Sequence, residues 1–361
     1  MIDSAVRSYI KQALVQGTTT KEITTTLVRA GWSQSDINLV ITEVYAEFAT
    51  KPVIRVEGIT KSFGNAVLED MYVHIQQGEI FGIIGSSGVG KTTFLNMLVG
   101  FYTPDKGDII LHDGKQSISV FKNSVLVKRV VGFSTQTPSV YHKLTVFENL
   151  MHFGSLYNLT DQERRSRSRT LIKLIGLEGN ENKLAAHLSG GMIKRLDIAC
   201  ALMHNPRVLI LDEPTADLDP VTRKALWSLV REINKRGTTI IIASHFLGEI
   251  EHLCTRIGVL RNKTLANIGT ADELKDLYTK SQIMHVELHS KNYQAIIRAL
   301  QQRKLCEQVE QKEHSLVLRT DKAEEALAVV TQVVQQTKDK LHHISVSRPS
   351  MQEVFTELVK K

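Results

Sequence analysis

Ile80-Phe81-Gly82-Ile83-Ile84-Gly85-Ser86-Ser87-Gly88-Val89-Gly90-Lys91-Thr92-Thr93-Phe94-Leu95 decides the fold. An apolar run rich in β-branched residues ends in a glycine-rich turn, and a helical pattern through Phe94, Leu95 and Leu98 follows at once. Strand, phosphate-binding loop and helix in that order form one unit of an α/β core. The glycines let backbone N–H groups turn toward a β-phosphate, and the helix N-terminus adds partial positive charge. Lys91 would reach the β/γ oxygens, and the Thr92 hydroxyl would ligate Mg²⁺.

Further along, the apolar run Val208 to Leu211 ends in Asp212 and Glu213. Neighbouring residues on a strand point to opposite faces, so the two carboxylates need separate tasks. Asp212 is placed to hold Mg²⁺ through its water shell, and Glu213 to polarise an attacking water. Between the two sites stands Leu188-Ser189-Gly190-Gly191-Met192, before a helical pattern through Ile193, Leu196, Ile198, Ala199 and Leu202. Ser189 can cap that helix, and Gly190 and Gly191 leave its first amides bare for an anion.

The chain has 361 residues, enough for two or three domains. Hydrophobic residues at 42% and charged residues at 23% suit a folded protein without low-complexity tracts. No apolar run approaches the roughly 18 to 20 residues that span a bilayer, and no leader pattern opens the chain, so a cytosolic protein is expected. Cys200, Cys254 and Cys306 are scattered, which suggests free buried thiols rather than a zinc site. The net charge of +7 raises the question of nucleic acid. Residues 1–50 carry four Lys or Arg against five Asp or Glu, and residues 283–361 twelve against ten, leaving +6 on the polyphosphate-binding middle. The cluster Arg164, Arg165, Arg167 and Arg169 reads as a solvated helix face.

Three patterns divide the chain. Residues 1–50 read as three short helices, capped by Asp3, by Thr19 with Glu22, and by Ser33 with Asp36, with Trp32 as a core plug. Residues 51–282 alternate strands and helices, with an antiparallel β flank around Met71, Val73 and Ile75 and a helical subdomain at about 137–205. Residues 283–361 follow the order β-α-β-β-α-β of ferredoxin-like domains, with an extra helix from Met351 to Val359.

With its three motifs in that order, the chain resembles the nucleotide-binding domain of ATP-binding cassette (ABC) proteins over roughly residues 53 to 275. The resemblance identifies Gly85 to Thr93 as the Walker A loop, Leu188 to Met192 as the signature motif, and Asp212 with Glu213 as the Walker B pair. Gln136, just after a strand expected over Val130 to Ser134, is similar to the Q-loop glutamine that touches Mg²⁺, Asp219 to the D-loop aspartate, and His245 to the switch histidine at the γ-phosphate. Phe63 stands where an aromatic side chain stacks on adenine. ATP and Mg²⁺ are the implied cofactors. Two cassettes would pair head to tail, each ATP lying between one copy's Walker A loop and the other copy's Ser189 and Gly191, and a separate permease would be driven. The N-terminal segment resembles ubiquitin-associated three-helix bundles.

Three classes of cassette protein remain open. Tyr141 to Val146, Glu148-Asn149-Leu150 and the stretch Arg348 to Phe355 are similar to drug-resistance and lipid exporter subunits. An importer cassette commonly ends in a β-barrel, which the alternating helices after residue 290 disfavour. A non-transport ATPase of translation or DNA repair is the third class, and no nucleic acid is expected to bind.

Overall fold

The computed structural model describes residues 6, 9, 10, 13, 20–34, 37, 40, 41, 52–278, 282–306, 308–312 and 315–354. The chain divides into two units, Met1–Thr270 and Ala271–Lys361. Among the described residues one complete helix, α1 (Thr20–Arg29), is found in the N-terminal segment, and the expected three-helix bundle is not seen among them. The caps expected at Asp3, Thr19 and Asp36 lie outside the described residues. Val6, Ile10, Ala13, Ile37, Val40 and Ile41 do gather around Ile23 and Leu27, with Trp32 against them. Apolar spacing thus marks which side chains leave water.

Strands β1 (Pro52–Phe63) and β2 (Asn65–Gln76) pair antiparallel. The alternation at Met71, Val73 and Ile75 becomes a half-buried face of this pair. Strand β3 (Ile80–Ile84) is buried throughout and feeds helix α2 (Lys91–Leu98). Strands β4 (Lys106–His112) and β5 (Ser117–Ser119) complete a four-stranded sheet in the order β2-β1-β4-β5. Helix α3 (Ser124–Val130) abuts strand β6 (Val131–Ser134) directly. Val130, expected to open that strand, instead closes the helix.

Helices α4 (Val146–Leu156) and α5 (Asp161–Leu174) each start with a capping box, Thr145 with Glu148 and Thr160 with Glu163. Arg164 and Arg165 pair with Asp161, and Arg167 donates to Leu202 O at 2.9 Å, so the arginine cluster is partly structural. Helix α6 (Gly190–Ala201) leads to strand β7 (Val208–Asp212), helix α7 (Pro220–Lys235), strand β8 (Thr239–Ala243) and helix α8 (Leu247–Leu253). Strands β9 (Arg256–Arg261) and β10 (Thr264–Gly269) close a six-stranded sheet in the order β10-β9-β3-β8-β7-β6. All its neighbours run parallel except β9 and β10. β3, β7 and β8 are covered on both faces, which explains their continuous apolar runs.

The second unit opens with helix α9 (Ala271–Tyr278). It continues with strand β11 (Gln282–Leu288), helix α10 (Gln294–Gln302), strands β12 (Gln308–Gln311) and β13 (Leu316–Thr320), helix α11 (Ala323–Thr337) and strand β14 (Leu341–Ser347). Its antiparallel sheet has the order β12-β13-β11-β14, and Met284, Val286, Tyr293, Ile296, Leu318 and Val330 share its separate core. Ser350 and Glu353 cap one another at the start of the final helix; Phe355 lies outside the described residues. Among the described residues no helix is long and apolar enough to cross a membrane.

Candidate functional site

Because β3, β6, β7 and β8 are parallel, their carboxyl ends fall at one edge of the sheet. The loops that leave that edge carry every expected nucleotide contact except Phe63, Ser189, Gly190 and Gly191, as is usual for ligand sites in parallel α/β sheets.

Gly90 caps α2 in the left-handed region, φ 110°, a conformation that strains any residue with a Cβ. No side chain caps this helix start, so its first amides stay available to an anion. Lys91 Nζ donates to Gly85 O at 2.9 Å and Ser86 O at 3.2 Å and lies 3.8 Å from Glu213 Oε1. Burial holds this ammonium below its usual range, while Glu213 and Asp212 pull in the opposite direction. Ser86, Ser87, Gly88 and Thr92 are exposed, Val89 and Thr93 half-buried.

At the end of β7, Asp212 is only 2% exposed, and its Oδ1 has no hydrogen-bond partner among the described residues. The Thr92 side chain stands close enough to the same carboxylate to favour its charged form. Burial raises the Asp212 pKa and the Glu213 charge adds to the rise; Thr92, Lys91 and Lys194 oppose it. A buried carboxylate oxygen without a donor, beside a hydroxyl from another element, is a donor set that suits a hard cation.

Glu213 turns away from the strand with φ +43°, and its N–H donates to Ala243 O of β8 at 2.9 Å. Its Oε2 accepts from the His245 backbone N–H at 3.3 Å and lies 2.8 Å from His245 Nδ1. The two adjacent carboxylates are therefore separated as expected, Asp212 toward Thr92 and Glu213 toward His245.

Lys91, Thr92, Asp212, Glu213 and His245 are thus brought together; the remaining expected residues are not part of this cluster. Gln136 is exposed in the bend after β6. Phe63 is 53% exposed at the end of β1, edge-on to Tyr102 at 5.2 Å. Ser189 caps α6, its Oγ accepting from Met192 N–H at 3.3 Å. A Cβ at Gly190 would meet nothing within 4 Å, whereas one at Gly191 would lie 2.1 Å from Thr222 Cγ2. Asp219 caps α7, accepting from the Val221 and Thr222 N–H groups at 3.0 Å each. Hydrogen bonds with Thr222 hold its pKa below the usual carboxylate range.

Sequence reasoning missed a set of residues behind His245. Arg223 pairs with Glu249 at 3.2 Å, donates to Leu218 O at 2.9 Å and lies 4.1 Å over the Phe246 ring. Glu249 also accepts from Trp227 Nε1 at 2.7 Å. Arg223 and Glu249 stand 26 positions apart, which leaves no local signal for this contact.

A family profile described as ABC transporter matches residues 68–216, and one described as ATP-binding protein DrrA1-3-like, C-terminal domain, matches residues 269–359. The chain is 31% identical over 313 residues to the linearmycin resistance ATP-binding protein LnrL of Bacillus subtilis (strain 168), covering 85% of this chain and 98% of that one. It is 34% identical over 230 residues to the Nod factor export ATP-binding protein I of Mesorhizobium japonicum, covering 63% and 66%. Among solved structures it is similar to cbiO1 of Clostridium perfringens, part of the ABC transporter complex cbiONQ, with TM-score 0.57, 29% identity and coverage of 61% and 88%. It is also similar to a dimeric ATP-binding cassette in a post-hydrolysis state bound to ADP and Pi, with TM-score 0.54, 26% identity and coverage of 60% and 98%.

Fold and site together define a P-loop ATPase that binds and hydrolyses ATP. The chain belongs to the ABC transporter family, as an ATP-binding subunit.

Proposed function

We propose that the chain is the ATPase subunit of an exporter, working in pairs beneath a separate membrane permease on the cytoplasmic face. The observation that carries the chemistry is the Glu213 carboxylate held between Lys91 and His245 at the sheet edge. Adenine would stack on exposed Phe63. The triphosphate would lie along Gly85, Ser86, Ser87, Gly88, Val89, Gly90, Lys91, Thr92 and Thr93. Thr92, Asp212 and Gln136 are the residues to hold Mg²⁺, which when bound neutralises charge developing between the β- and γ-phosphates. Glu213 accepts a hydrogen bond from the attacking water and orients it, while His245 fixes the carboxylate and faces the γ-phosphate. Ser189, Gly190 and Gly191 of a second copy would close the site from the other side, and the open space over Gly190 supports that approach. Asp219 would sit at the junction of the two copies.

The names of the relatives, resistance and Nod factor export, support outward transport. The domain division expected from the sequence, 1–50, 51–282 and 283–361, the last ferredoxin-like, belongs to the same reading. The test is to co-purify the permease with a Glu213→Gln variant and place permease and wild-type subunit in inverted vesicles. ATP-driven accumulation of cargo inside supports export; ATP-driven loss from preloaded vesicles would make it an importer. ATPase stimulation by nucleic acid with no membrane protein recovered would overturn the transport reading.

A further inference from the structure

Lys194 and Asp197 lie one turn apart on α6 and are 4% and 3% exposed. Two buried charges are costly unless their hydrogen bonds are made. Their own separation, Nζ to Oδ2, is a loose 3.9 Å, so mutual contact does not account for them. Both turn instead to the loop after β6. Lys194 Nζ donates to Thr135 O at 2.6 Å, and Asp197 Oδ1 accepts from the Ser139 N–H at 2.8 Å. Asp197 Oδ2 accepts from Ser134 Oγ at 2.5 Å, where the strand ends. Inside this span Thr135 Oγ1 donates to Thr137 O at 2.6 Å.

Residues 135 and 139 bracket Gln136. We propose that Lys194 and Asp197 are positioning residues that clamp both ends of the Gln136 loop to the helix beginning at Ser189 and Gly190. The inference rests on the proposed Mg²⁺ role of Gln136. A pair that merely filled the core would have no reason to grip the two ends of one loop through backbone groups. The grip ties the exposed glutamine to the helix that would face a second copy's ATP, so movement of that helix is felt at the metal-binding residue of its own site.

The test uses the full chain and the double variant Lys194→Met/Asp197→Asn, which removes both charges and leaves no lone buried ion. ATPase is measured against Mg²⁺ and ATP, with the unfolding midpoint recorded alongside. The expected result is a kcat lower by roughly tenfold and a Mg²⁺ half-saturation raised about threefold or more, with KM for ATP within about twofold of the parent. A lowered unfolding midpoint with unchanged kcat and unchanged Mg²⁺ half-saturation would overturn the clamp. Because Lys194 also acts on the Asp212 charge, Ser139→Pro, which deletes the donated N–H from an exposed position and keeps Lys194, is read identically and must shift the Mg²⁺ response in the same direction. Gln136→Ala separates the two readings. If it leaves the Mg²⁺ response unchanged, the Gln136 role falls and the clamp with it; if it shifts the response and the clamp variants do not, the clamp alone falls.

Discussion

The imidazole of His245 approaches Glu213 with Nδ1 2.8 Å from Oε2. An ionised carboxylate only accepts, so a ring proton sits on Nδ1. Replacing the carboxylate by an amide keeps its size and removes the group proposed to orient water. Glu213→Gln is expected to bind ATP normally and to lose about a hundredfold or more in ATPase rate. Paired molecules should accumulate with ATP in light scattering; normal turnover would reject the assignment.

Lys91→Ala removes the ammonium that burial already holds below its usual range. Charge-assisted hydrogen bonds to phosphate would be lost, so ATP affinity should fall roughly ten- to hundredfold. The readout is the rise in unfolding temperature that saturating ATP gives the parent. A variant that keeps that rise would show that Lys91 does not touch nucleotide.

The signature glycines should behave oppositely. Gly191→Ala places a methyl 2.1 Å from Thr222 Cγ2 and is expected to destabilise by about 1–3 kcal/mol. Adding Thr222→Ser, which deletes that methyl, should recover most of the loss. Gly190→Ala meets nothing within 4 Å, so denaturant midpoints should stay near the parent while ATP-dependent pairing weakens.

Acid should act through His204. Burial lowers its pKa to about 4, and Arg167 adds to the shift against the Val131 hydrogen bond. Nε2 lies 3.2 Å from Val131 O and so carries the proton, while Nδ1 is buried without a hydrogen-bond partner among the described residues. The unfolded chain takes up a proton near the ordinary value of about 6.5 and the folded chain does not until about 4. Stability from this group is therefore present above pH 6.5 and lost as pH falls toward 4. Thermal unfolding across this window should show the decline, and His204→Gln should flatten it; an unchanged slope would assign the acid sensitivity elsewhere.

The apolar runs of β3, β7 and β8 could be read directly because both faces of a central parallel strand are dry, so no alternation blurs them. The site followed, since each run ends on the residue that the sheet edge presents. Other features carried no such mark. Val130 was misplaced because α3 meets β6 with no turn residue between them. Lys194 and Asp197, three apart on a helix, look from the sequence like an exposed ion pair. Only the loop folded over them shows otherwise. Glu213 at φ +43° gave no warning either, since a non-glycine residue enters that region under the demand of its surroundings.

The near-touch of Gly191 and Thr222 has a mechanical consequence. With no room for even a methyl between them, the first turns of α6 and α7 lean on each other as one stiff prong. A second molecule approaching that face would have to engage both tips or neither. Pairing would then switch on over a narrow range of ATP rather than grade with occupancy.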